Sequence, residues 1–104
     1  MSSYRSVESG TFTVGAATPV KVVDGTAGSY AGWRCFNNTG ATLQFKVVPV
    51  GTVPVLVDFN GSTAYPSFEN VLNGGRIEDG ARGADVYCLS LGGSVTVHIE
   101  KVLS

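Results

Sequence analysis

Charge is what this chain has least of. Asp, Glu, Lys and Arg make up 14% of its 104 residues, against roughly 25% in an ordinary globular domain. The cations Arg5, Lys21, Arg34, Lys46, Arg76, Arg82 and Lys101 are scattered. Tracking a phosphate backbone needs them clustered, which argues against nucleic-acid binding. One histidine and two distant cysteines cannot build a Cys/His zinc pattern. No apolar run approaches the roughly 20 residues of a membrane-spanning helix. The opening "MSSYRSVESG" lacks the apolar core of a secretory signal, which predicts synthesis in the cytosol. A sustained helical stripe is missing, as are G-x-S-x-G and the phosphate-loop pattern.

What is abundant is glycine, with 14 residues. The glycines punctuate short segments rich in Val, Thr, Phe and Tyr, the pattern of an all-β sandwich or barrel. Residues 1–9 read as a flexible N-terminal arm and 10–104 as one domain. "GTFTV" and "TPVKVVD" are strands, the second with Pro19 at its start. "RCFNNTGATLQFKVV" reads as a hairpin, with Phe36, Leu43, Phe45 and Val47 in the core and Gln44 and Lys46 opposite them. "PVLVDF" is a candidate edge strand, and "PSFENVLNGG" either a helical turn or a short strand. "ADVYCLSL" and "SVTVHIEKV" form a second predicted hairpin about Gly92-Gly93. The sum is an antiparallel β-sandwich or jelly-roll-like barrel of about eight short strands.

Chemistry is sparse. His98 sits on the polar face of the last strand beside Thr96 and Glu100, the setting of a surface histidine rather than of a catalytic base. "EDGARGAD" groups carboxylates around glycines without the spacing of a calcium loop. No enzyme activity, cofactor or metal is expected. Cys35 and Cys88 are either buried free thiols or, if their strands are neighbours, a disulfide. The low charge content instead points to surface buried against a partner. Candidate contacts are Tyr4 and Arg5 in the arm, Tyr30 and Trp33 around one loop, and Phe59, Tyr65 and Phe68 in the least periodic stretch.

Thr18-Pro19-Val20, the Arg34-to-Gly40 segment, Ile77 to Gly80, Tyr87 to Ser90 and the closing Val95-to-Glu100 strand form a layout. It resembles the small β-sandwich structural proteins of tailed bacteriophages. That resemblance implies a virion protein: a capsid decoration (cement) protein, made in the host cytoplasm, that binds the major capsid protein on the outer shell as a homo-oligomer. The alternative is a carbohydrate- or receptor-binding module of a tail fibre, for which Trp33, Tyr65 or Phe68 would be an exposed platform.

Overall fold

The computed structural model describes residues 7–26, 30–59, 68–79 and 83–103. They form eight strands: β1 (Val7–Val14), β2 (Val20–Val23), β3 (Tyr30–Phe36), β4 (Leu43–Pro49), β5 (Phe68–Val71), β6 (Arg76–Asp79), β7 (Ala84–Ser90) and β8 (Val95–Leu103). One sheet has the order β1-β8-β3-β6 and the other β2-β7-β4-β5, each antiparallel throughout. That double order is a jelly roll.

The topology corrects both predicted hairpins. β3 and β4 lie in different sheets, and so do β7 and β8. Of the connections between consecutive strands, only β4–β5 stays within one sheet. The segment "NNTGA" is therefore a corner that carries the chain across the sandwich. Asn37 holds that corner: its Nδ2 donates to Ala41 O at 2.7 Å and to Val71 O at 2.9 Å, and its Oδ1 accepts from Thr39. Buried at 0% exposure, it satisfies its side-chain amide entirely with partners in the corner and on β5, as a buried amide must. Leu91 to Ser94 make the second corner, tied back by Leu91 N donating to Thr42 O.

Alternation along each strand sets the core. Val14, Trp33, Cys35, Leu43, Phe45, Val86, Cys88, Val97 and Ile99 face each other across the two sheets. Trp33 and Phe45 meet with ring centroids 5.2 Å apart and tilted at 43°, a favourable aromatic geometry. Phe36 departs from the expectation. It is on the opposite side of β3 from Trp33 and Cys35, and 58% exposed. The boundary of the expected arm also moves. Val7, Glu8 and Ser9 already pair with Val102, Lys101 and Glu100, so the sheet begins before residue 10.

The outer sides of the two sheets differ. On β8, Thr96 and His98 are exposed, as the alternation predicts. On the other sheet the outer-facing Gln44, Lys46, Val48, Tyr87 and Leu89 are all buried. The β4–β5 connection, with its 3₁₀ turn Leu56–Phe59, covers that sheet as a third layer. Gln44 and Lys46, opposite the core side of β4, are therefore buried too, and "PVLVDF" is not the edge strand expected of it.

Candidate interaction surface

The third layer is held down by two kinds of contact. Phe59, 0% exposed, packs with Val48, Tyr87 and Leu89 in a cluster separate from the main core. Pro54, five residues earlier, is buried too. At its base, Asp85 is buried on β7 and accepts Gly25 N at 2.8 Å and Gly51 N at 3.1 Å, with Lys21 Nζ 3.5 Å away. One carboxylate thus ties together the β2–β3 loop, the β4–β5 connection and β2. Both glycines are required by geometry. A Cβ on Gly25 would stand 2.6 Å from Ala84 O, and Gly51 has φ +88°.

Within the connection, Thr52 N donates to Pro49 O, Asp58 N to Val55 O, and Val55 N to Asp58 Oδ2 at 2.8 Å. This turn chemistry aims Phe59 inward, while Val53 (70% exposed), Val55, Leu56 and Val57 face out, with Val50 at the base. The strip 50–57 contains no charged residue. It is an apolar surface on a chain whose other large exposed apolar residues, among those described, are single: Val7, Phe36, Leu72 and Leu91. Scattered apolar residues are ordinary; a contiguous strip marks a contact surface.

Charged groups elsewhere among the described residues are engaged. Arg34 Nε donates to Glu100 Oε1 at 2.7 Å, and the carboxylate raises the guanidinium pKa. Lys101 pairs with Glu8 at 3.1 Å. Asp24 accepts from the Thr26 hydroxyl and amide, which lowers its pKa. Partial burial opposes the charge of Lys21, yet Asp85, Tyr87 and Asp24 outweigh it and the pKa is raised. Burial lowers that of Lys46, with Asp58 opposing. His98 Nδ1 lies 3.1 Å from Thr11 Oγ1 on the outer side of β1 and β8. The carboxylates of "EDGARGAD" separate: Glu78 lies 3.9 Å from Arg76 on β6, while Asp85 makes the clamp just described. Among the described residues no group of His, Cys, Asp and Glu is placed to hold a metal ion, and no helix is long and apolar enough to cross a membrane.

The expected contact residues fare unevenly. Trp33, 2% exposed, and Phe59, at 0%, are core residues, which removes both as contacts. An inward-facing position on β3 explains the first, and the fold-back of the third layer the second. Tyr30 opens β3 and Phe68 opens β5. Tyr4, Arg5 and Tyr65 lie outside the described residues. Sequence reasoning missed the strip itself. Its signal was present in "VPVGTVPVLV", an uncharged apolar run too broken by Pro and Gly to be a buried strand. Cys35 and Cys88 are both free and buried.

These features define a class of fold: a small jelly roll with one sheet covered by its own β4–β5 connection. No protein-family model matches the chain and no curated protein does. Among solved structures it is similar to one described as "Bacillus endospore appendages form a novel family of disulfide-linked pili", with a TM-score of 0.53 and 12% identity over 97% of this chain and 92% of that one. The likeness is one of fold.

Proposed function

We propose that this chain is a structural subunit of a larger protein assembly, docking through the uncharged strip from Val50 to Val57. The observation that carries this reading is the exposure of Val53, Val55, Leu56 and Val57 on a layer whose other side is packed and tethered. Such a strip loses apolar exposure only by meeting another surface. The setting put first is the one implied by the sequence resemblance: decoration of a tailed-phage capsid, with the subunit cementing the shell from outside. The similar fold in endospore pili favours a second setting, a filament subunit. That neighbour is described as disulfide-linked, whereas Cys35 and Cys88 here are buried in the core and present no thiol at the surface for a cross-link. The tail-fibre glycan reading loses its Trp33 platform to the core, and its Tyr65 lies outside the described residues.

Electron microscopy of the purified protein, alone and with capsid shells, separates the settings. A filament subunit polymerises unaided; a decoration subunit stays small and adds to preformed shells. In either case the double substitution Val53→Lys, Val57→Lys abolishes assembly and leaves Tm within a few degrees, because both side chains are exposed. Assembly of that variant at the wild-type level would overturn the strip's role.

A further inference from the structure

Each sheet of a sandwich has two edges, and an unpaired edge invites another strand. Among the described residues, three of the four edges are blunted. β2, β5 and β6 are four residues each, and β2 follows Pro19, carries Lys21 and is interrupted by a bulge between Lys21 and Val23. β1 differs. It is eight residues long, pairs with β8 in unbroken register from Val7 to Val14, and contains no Pro, Lys or Arg. In the sheet order β1 ends its row, so alternate N–H and C=O groups on its far side point away from β8.

We infer that this edge pairs antiparallel with β1 of a second copy, joining two four-stranded sheets into one continuous eight-stranded sheet. The chemistry of the strand selects that occupant. On its outer side β1 presents Ser9, Thr11 and Thr13, opposite Glu100, His98 and Thr96 of β8. A charged partner strand would find nothing to pair with there. A two-fold axis must set outer-facing residues opposite outer-facing residues. Centred on Thr11, it places Thr11 opposite Thr11 of the second copy and Ser9 opposite Thr13, hydroxyl pairs that favour antiparallel strands. The sole charge of the strand, Glu8, already has Lys101 at 3.1 Å. In this register the two Glu8 residues stand six positions apart, about 20 Å, well beyond the ~8 Å screening length at physiological salt. A second feature lies at the same edge. A cleft of about 260 Å³, floored by Phe12, Val22 and Ile99, opens between β1 and β2, and the added sheet lengthens the wall of that cleft.

This pairing supplies the assembly reading with a partner, a second copy, and uses a surface that the strip does not. The test is cysteine scanning of the full chain, with Ser9→Cys, Thr11→Cys and Thr13→Cys made singly and oxidised with diamide. The native thiols are buried and stay silent. Directly opposed residues in antiparallel strands have Cα atoms about 4.5–5.5 Å apart, within disulfide reach. Thr11→Cys is expected to give a covalent dimer at least tenfold faster than Thr96→Cys, a control on the outer side of the interior strand β8. Fast self-crosslinking at Ser9 or Thr13 instead would support edge pairing and shift its register. If none of the three exceeds the control, the proposal is overturned. Placing Thr11→Cys on the Val53→Lys, Val57→Lys background keeps the two readings apart. Crosslinking there with assembly lost preserves the edge pairing, and assembly of the strip variant with no crosslinking removes both claims independently.

Discussion

At the residue scale, the two thiols illustrate how burial becomes a pH response. Cys35 is 2% exposed and Cys88 0%. Burial pushes the Cys35 thiol up to about 11. Burial, with Cys35 close by, pushes the Cys88 thiol higher still. A raised folded-state pKa contributes stability that is fully present below the unfolded thiol's pKa and is lost as pH climbs through the folded value. For Cys35 the window runs from roughly pH 9 to 11, and two pKa units amount to about 2–3 kcal/mol. Lys46 acts with the opposite sign, since its lowered pKa makes folding more favourable as pH rises toward 10.5. The clean measurement is therefore differential. The stability gap between wild type and Cys35→Ala, from urea unfolding at pH 7, 9 and 10.5, should shrink with rising pH. A gap that stays constant would show that the thiol ionises alike in the folded and unfolded chain, so that burial does not raise its pKa. In the native protein at pH 8 a thiol reagent should find no reactive cysteine, and in denaturant it should find both.

At the element scale, the β4–β5 connection depends on Asp85. Asp85→Ala removes the acceptor for Gly25 N and Gly51 N and leaves Lys21 without its ion pair. The two amides are only partly buried, so the expected cost is roughly 2–3 kcal/mol. Asp85→Asn, which keeps one good acceptor, should cost about half that. Hydrogen exchange should locate the effect, with amides in 50–59 losing protection before those of β8. Equal loss across both sheets would mean that Asp85 supports the whole fold rather than this layer. The same layer marks where the sequence was legible and where it was not. The strands of "GTFTV", "ADVYCLSL" and "SVTVHIEKV" could be read because period-two alternation is local. Which strands pair could not be, because Asn-Gly corners have the same composition whether they close a hairpin or cross a sandwich. Asn37 looks like a turn residue in sequence, as its bond to Ala41 O within the corner bears out; its bond to Val71 O exists only once β5 stands beside it. The burial of Lys46 could not be read because nothing in β4 itself reports that residues downstream of Pro54 fold back over this sheet. The strip was visible as composition and invisible as a surface, for the same reason.

At the scale of the whole molecule, the fold is closed by its two ends. β1 pairs with β8, Val7 opposite Val102 and Val14 opposite Val95, so the sheet is completed only when segments from opposite ends of the described chain meet. Neither predicted local hairpin exists to nucleate it, and pairing of such non-local strands is slow. Circular permutation tests whether this closure limits folding. Joining the termini by a short Gly/Ser linker and opening the chain between Gly92 and Gly93 makes β8 and β1 neighbours in sequence. The cut falls in an exposed corner between strands of different sheets, so it breaks no ladder. The permutant should keep the native circular dichroism spectrum. Its refolding should quicken, by an order of magnitude or so, because the longest-range pairing becomes the shortest. Unfolding should change little, since the native contacts are the same. Unchanged stopped-flow refolding of a natively folded permutant would place the barrier elsewhere. The remaining candidate would be the assembly of β7 between β2 and β4, where three separated segments must also come together.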